Sequence, residues 1–151
     1  MSENLYRKSS ELYALRSLMK TMDVHIQRYR FCEKNTPDFR LKALLAMLLK
    51  QDEEHYKMLA QLEQGIIPMA GRDDGEKRLK IPDGNGRGNR IDARYCTEIY
   101  EGEKFLSSEI DQTIFKVRDS SARNVLNYIQ KQQQEHGRLL GQYMDEELMY
   151  Y

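Results

Sequence analysis

Apolar residues recur along most of this chain at alternating spacings of three and four positions, which is the pattern of one buried face of an α-helix. Four separate stretches carry this pattern, and polar, proline-containing or glycine-rich segments lie between them. The sequence therefore predicts an all-α protein with four helices, A to D, at about residues 9–32, 37–64, 91–118 and 120–147.

The start of helix B is predicted from local residue types. The stretch EKNTPD at 33–38 interrupts the apolar pattern. Thr36 is the expected N-cap because its hydroxyl can accept a backbone N–H, and Pro37 suits the first helical position because it lacks that N–H. Helix B is therefore expected to begin at Pro37.

The connection between helices B and C, about residues 65–90, is much longer than the other two turns. It contains Pro68, Pro82 and six glycines, which is the composition of a loop. Extended chain covers up to roughly 3.3 Å per residue, so this segment is long enough to run the length of a bundle. Two short hairpins joined by a long crossover form a ferritin-like four-helix bundle, here one domain over 1–151. An up-down-up-down bundle is the alternative.

Composition narrows the classes of partner. The chain has 151 residues, enough for one self-sufficient core, and its 24 basic and 24 acidic residues cancel. No apolar run of about 18 residues is present, so we expect a soluble protein without nucleic-acid or membrane partners. Cys32 and Cys96 lie far apart and outside any CxxC motif, which argues against a disulfide framework or a thiolate zinc site.

A short segment occurs twice, 81 residues apart: KQDEEHYKML at 50–59 and KQQQEHGRLL at 131–140. Two of the three histidines in the chain, His55 and His136, occupy the same place in both copies. Each lies within the apolar stripe of its helix, B or D. A duplicated hairpin would therefore bring both histidines to one level of a shared core.

The duplicated segment resembles half of a metal-binding motif. Di-iron and di-manganese bundles use Glu-x-x-His on two helices, because residues three apart project from one face, and one Glu on each of the other two. Helix B has Asp52-x-x-His55, whereas helix D has Gln133-x-x-His136, with a neutral amide in place of the carboxylate. The motif is therefore incomplete in this chain.

Helix C supplies a further acid, because Glu103 interrupts its apolar stripe. Folding helices C and D about a turn near Ser120 places Glu103 beside His136. The same estimate for helices A and B places Leu15 opposite His55 and Leu18 or Met19 opposite Asp52, so helix A offers no acid at this level, and His25 is interpreted as a boundary residue. The candidate metal ligands are Asp52, His55, Glu103, Gln133 and His136, for one iron, manganese or zinc ion.

A buried polar layer without metal explains the same residues. Gln51 with His55, and Gln132 with His136, can fix the register of the helices, as single polar residues do in coiled-coil cores. The sequence leaves both interpretations open: no cofactor, or one transition metal ion.

Three segments resemble the coat F group of spore-coat proteins, which are small ferritin-like chains of endospore-forming bacteria. They are HIQRYR at 25–30, DFRLKALLAMLLKQDEEHYKML at 38–59 and YIQKQQQEHGRLLGQYM at 128–144, and the last is similar to the closing helix of that family. The resemblance covers most of both hairpins and leaves the B–C loop unmatched. Gln133 and the acid-free helix A depart from the working di-iron pattern.

This resemblance implies a structural, non-catalytic protein of the spore coat. Synthesis in the mother-cell cytoplasm, other coat proteins or further copies of the chain as partners, and descent from a metal-binding bundle such as rubrerythrin are implied with it. The alternative is a ferritin-like protein with a degenerate mono- or dinuclear metal site and weak redox activity.

Overall fold

The computed structural model describes residues 9–68, 79–83 and 88–147. In this part of the chain there are four helices and no strands, which confirms the predicted all-α four-helix bundle. Parts of the predicted B–C loop, at 69–78 and 84–87, lie outside the described residues. The helices are α1 (Ser9–Asn35), α2 (Phe39–Glu63), α3 (Arg90–Lys116) and α4 (Ser120–Glu147).

The N-cap of α2 is Asp38, so the prediction of Thr36 as N-cap and Pro37 as first helical residue was wrong. The Asp38 carboxylate accepts the backbone N–H of Leu41 at 3.1 Å, which satisfies one of the free donors of the first turn. The Thr36 hydroxyl instead donates to Asp92, at the start of α3. The Thr36 hydroxyl therefore hydrogen-bonds to the carboxylate of Asp92, which is distant in sequence, and does not act as the N-cap that the local sequence predicts.

The second hairpin repeats the helix bounds of the first at an offset of 81 residues, except at the end of its last helix. Both α1 bounds, Ser9 and Asn35, map onto the bounds of α3, and the first residue of α2 maps onto that of α4. Asp119 accepts the N–H of Ala122 at 2.8 Å, as Asp38 does in the first hairpin. The duplication therefore includes the helix ends and the capping chemistry as well as the KQ..EH segment.

The helix directions establish the crossover connection. Asp92 at the start of α3 contacts Thr36 after the end of α1, and Glu11 at the start of α1 lies 3.7 Å from Arg118 after the end of α3. Helices α1 and α3 are therefore antiparallel, and since α2 is antiparallel to α1, α2 and α3 run parallel. Their connection must cross the length of the bundle, as in ferritin-like folds, and the up-down-up-down alternative is excluded.

Residues near the end of this connection pack against the α1–α2 end of the bundle, where α3 begins. Ile81 is buried in the apolar cluster near the α1–α2 turn, and the Arg40 side chain donates to the carbonyl of Pro82 at 3.0 Å. None of the described helices is long and apolar enough to cross a membrane.

Two apolar clusters fill the bundle. One, with Leu18, Leu62 and Val117, lies toward the α3–α4 turn, and the other, with Leu41 and Cys96, lies toward the α1–α2 turn. Burial raises the pKa of the Cys96 thiol to about 12, so it is neutral. Between the clusters lies a layer of polar side chains, and this layer is the candidate functional site.

Candidate metal centre

All four helices contribute polar side chains to the layer between the two apolar clusters. Each of these side chains is at most 3% exposed, so water does not solvate the charges among them. We call this group the polar layer; it consists of His25 and Tyr29 from α1, Asp52 and His55 from α2, Glu103 from α3, and Gln133 and His136 from α4.

One carboxylate oxygen of Glu103 collects three contacts. Its Oε1 accepts from the Tyr29 hydroxyl at 2.6 Å and from His25 Nε2 at 2.9 Å, and lies 3.3 Å from His136 Nδ1. The predicted proximity of Glu103 and His136 is thus confirmed. Burial alone raises the pKa of the Glu103 carboxyl, but hydrogen bonds from His136 and His25 outweigh it and lower the pKa to about 2. Glu103 is therefore ionised.

Asp52 lies beside Glu103 and shares its neighbours. Its Oδ1 accepts from Gln133 Nε2 at 2.5 Å and lies 3.5 Å from His136 Nδ1. Its Oδ2 lies 3.7 Å from His25 Nε2. The same two histidines therefore contact both buried acids.

The duplicated glutamines orient the histidines of the opposite hairpin. Gln132 Oε1 accepts from His55 Nε2 at 2.5 Å, and Gln51 Oε1 accepts from His136 Nε2 at 2.6 Å. The prediction paired each glutamine with the histidine four residues later on its own helix, and the structure corrects this to a cross-pairing. Since α2 and α4 are antiparallel, a glutamine on one meets the histidine on the other.

These contacts fix the tautomers of two histidines. A glutamine carbonyl oxygen only accepts, so Nε2 carries the proton in both rings and a neutral ring has its lone pair at Nδ1. His55 Nδ1 accepts from Gln133 Nε2 at 2.8 Å and is satisfied. His136 Nδ1 faces the oxygens of Glu103 and Asp52, which are also acceptors. A proton or a metal cation must lie at that nitrogen.

Without metal, the carboxylates favour a proton at His136. Burial lowers the pKa of this imidazole, but the charges of Asp52 and then Glu103 outweigh burial and raise the pKa above its ordinary value. The pKa of the Tyr29 hydroxyl is raised by burial and by Glu103, so it remains a hydrogen-bond donor.

Four atoms of the layer are buried and have no hydrogen-bond partner among the described residues: Asp52 Oδ2, Glu103 Oε2, Gln133 Oε1 and His25 Nδ1. Buried polar groups are normally paired, so such atoms call for a ligand, an ion or water. His25, Asp52 and Glu103 each offer a ligand atom, and the three atoms lie within 4.8 Å of one another. This buried group can hold a metal ion.

His25 belongs to the layer, so its interpretation as a boundary residue was wrong. The estimate that placed Leu15 and Met19 opposite the α2 residues put the first turn too early, since α1 continues to Asn35. A shift of one residue in a turn moves the facing residue by two. The useful signal was spacing, because His25 follows the buried Met22 by three positions and precedes Tyr29 by four.

The five predicted ligands all lie in the polar layer, but their donor atoms are not equally free. Gln132 and Gln133 engage both ring nitrogens of His55, and the Gln133 amide directs its NH₂ group to Asp52. His136 Nδ1 faces both carboxylates, at 3.3 Å from Glu103 Oε1 and 3.5 Å from Asp52 Oδ1, and either a proton or a metal ion can lie between them. The geometry therefore favours His25 over His55 as a ligand, and ligation by the predicted set stays a prediction.

No protein-family model, curated protein or solved structure matches this chain. The likeness to spore-coat proteins stays a prediction that rests on the three segments at 25–30, 38–59 and 128–144.

Proposed function

We propose that this protein binds one divalent transition metal ion in the polar layer. The ligands are the carboxylates of Asp52 and Glu103, His25 Nε2 and His136 Nδ1. The observation that carries the proposal is the pair of buried, unpaired carboxylate oxygens, Asp52 Oδ2 and Glu103 Oε2, next to an imidazole lone pair that otherwise faces only acceptors.

The donor set fits such an ion in charge and type. Two carboxylates balance a divalent cation, and two neutral imidazoles add nitrogen donors without adding charge. Iron, manganese and zinc all accept mixed nitrogen and oxygen ligands. Bound iron or manganese would supply one-electron redox chemistry, whereas bound zinc would not.

The neighbours of the ligands act as outer-shell supports. Gln51 holds the proton of His136 on Nε2 and so directs the Nδ1 lone pair at the carboxylates, and the Tyr29 hydroxyl holds the Glu103 carboxylate. Partners of this kind orient metal ligands and raise their affinity. The role of the repeated glutamine, on this account, is to orient a histidine.

One ion fits better than two. Bundles that hold two metal ions have about four carboxylates, and this layer has two. Gln133 lies at the α4 position that corresponds to Asp52 in α2. The buried Met22 lies at the α1 position that corresponds to Glu103 in α3. Neither side chain offers an anion to balance a second divalent charge.

Cobalt binding tests the proposal, because the visible absorption of Co²⁺ reports its coordination. Titration of the metal-free protein should give a saturable band at one equivalent. Replacement of Asp52 by Asn or of Glu103 by Gln should weaken binding more than about 100-fold, since even outer-shell substitutions cost 10- to 100-fold. Glu101→Gln, an exposed acid on the same helix, is the matched control. Equal binding by Glu103→Gln and the control would contradict the proposal.

A structural role in an assembly, such as a spore coat, is the second candidate. It is supported by large apolar side chains on the surface: Phe39 and Phe115 are 86% and 85% exposed, and Phe31 and Tyr95 contact each other across α1 and α3. Phe31 is 59% exposed and packs on Tyr95, and adjacent apolar side chains at the surface mark contact surfaces. Sedimentation velocity should show self-association that Phe31→Ser reduces; a monomer at all concentrations would argue against assembly with itself.

A further inference from the structure

A cleft of about 410 Å³ lies between α1 and α3, on the outer side of the polar layer. His25 forms its inner wall, and Lys20, Arg28, Glu101 and Gly102 are among the other residues that line it. The His25 ring separates two environments, because its Nε2 contacts Glu103 inside the layer while its Nδ1 has no partner among the described residues.

His25 is 3% exposed, so its unpaired nitrogen is not simply solvated. His25 Nε2 lies 2.9 Å from Glu103 Oε1, an oxygen that also accepts from the Tyr29 hydroxyl, so the proton of a neutral His25 ring lies on Nε2. Nδ1 then carries an unpaired lone pair and lies beside Gly102, which lines the same cleft. The inner wall of the cleft therefore offers a hydrogen-bond acceptor.

The rest of the cleft offers positive charge. Lys20 and Arg28 form no ion pair with any described residue, and the nearby acid, Glu101, lies 3.8 Å from Lys104. Arg28 is close to His25 Nδ1, because both lie against Gly102. A Cβ atom on Gly102 would lie 2.8 Å from His25 Nδ1 and 3.2 Å from Arg28 Nη1. Only a glycine at this position therefore lets both nitrogens approach α3 this closely, at the edge of the cleft.

We infer that this cleft binds a small oxyanion that carries a hydroxyl group, of the class of hydrogen phosphate or bicarbonate. Its charged oxygens accept from Arg28 and Lys20, and its hydroxyl donates to His25 Nδ1. Arg is suited to the planar or tetrahedral oxygens of such anions. If His25 held a metal ion through Nε2, its Nδ1 would carry the proton and would donate to an oxygen of the same anion. The inference therefore goes beyond the proposed metal site and does not depend on it.

Calorimetric titration of the metal-free protein with sodium phosphate and with sodium bicarbonate tests the inference, with sodium chloride at equal ionic strength as the blank. At least one oxyanion should bind at one site per chain. Arg28→Gln should weaken that binding about tenfold or more, because it removes a charge-assisted hydrogen bond. Arg123→Gln, an exposed arginine on α4, should leave the affinity unchanged.

Gly102→Ala provides a second, steric test. The added Cβ would clash with His25 and push Arg28 away from it, so oxyanion binding should be lost while the helical circular dichroism is retained. Gly137→Ala is the matched control, since a Cβ there meets nothing within 4 Å. If neither oxyanion binds the wild-type protein, or if Arg28→Gln binds as tightly as wild type, the inference is overturned, whatever the folding of Gly102→Ala.

Discussion

The two hairpins share their architecture but contribute different ligands to the centre. Where α3 carries Glu103, the equivalent position of α1 carries Met22, and where α2 carries Asp52, the equivalent position of α4 carries Gln133. Each hairpin therefore contributes one carboxylate to the polar layer, from its second helix in the first hairpin and from its first helix in the second. His25 adds a nitrogen from α1 at a position where α3 has a leucine.

The features common to both hairpins are those that set geometry. The capping aspartates, Asp38 and Asp119, begin equivalent helices, and the two glutamine–histidine contacts link α2 with α4 in both directions. The features that differ are the charged ligands. Two hairpins with equivalent helices and helix caps therefore form a metal site with non-equivalent ligands. Its two carboxylates suit one ion and not two.

The sharpest way to test the asymmetry is to restore an acid on α4. Gln133→Glu removes the hydrogen bond to Asp52 and sets a like charge beside it. We expect the metal-free protein to lose about 1–3 kcal/mol of unfolding free energy in urea titrations, the cost typical of an unsatisfied buried group. Added Mn²⁺ should recover this loss, with stoichiometry rising toward two.

The neighbouring substitution Gln134→Glu is the control, because that side chain is exposed. If Gln133→Glu leaves the unfolding free energy of the metal-free protein unchanged, Asp52 and Gln133 do not interact as described. The amide at position 133 would then not stabilise the protein relative to a carboxylate.

The two outer-shell glutamines offer a test between equivalent positions. Gln51 orients His136, a proposed ligand, whereas Gln132 orients His55, whose other nitrogen is already engaged. Gln51→Ala should weaken Co²⁺ binding by about 10- to 100-fold. Gln132→Ala should have a clearly smaller effect. Equal losses would show that both histidines ligate, and the hairpins would then be functionally symmetric.

The smallest expected effect is on pH dependence. The raised pKa of His136 stabilises the metal-free protein below the ordinary value of 6.5, and this contribution is lost as pH rises through the shifted pKa. The lowered pKa of Glu103 acts in the opposite direction: its contribution is present above 4.5 and is lost as pH falls toward about 2.

Urea titrations across pH should therefore show, for this pair, greatest stability between pH 4.5 and 6.5. His136→Asn should remove the decline on the alkaline side. A decline of the same slope in that variant would assign it to other groups.

Regular spacing predicted the helices and the meeting of Glu103 with His136, because both depend on periodicity within one hairpin. Two of the errors in the sequence prediction concern contacts between hairpins. The Thr36 hydroxyl donates to Asp92 of the other hairpin and does not cap α2. Each glutamine contacts a histidine of the opposite hairpin because α2 and α4 are antiparallel. His25 was missed for a different reason. Which α1 residue faces a given α2 residue depends on the position of the turn, and the sequence locates that turn only to within a few residues.

The central claim is that the polar layer holds one transition metal ion. Elemental analysis of protein purified without an affinity tag, before and after anaerobic reconstitution with Fe²⁺, Mn²⁺ or Zn²⁺, tests it most directly. The account predicts about one ion per chain in the wild-type protein. It also predicts loss of that ion in the Asp52→Asn/Glu103→Gln double variant. Reconstituted wild-type protein that contains none of the three metals would contradict the account.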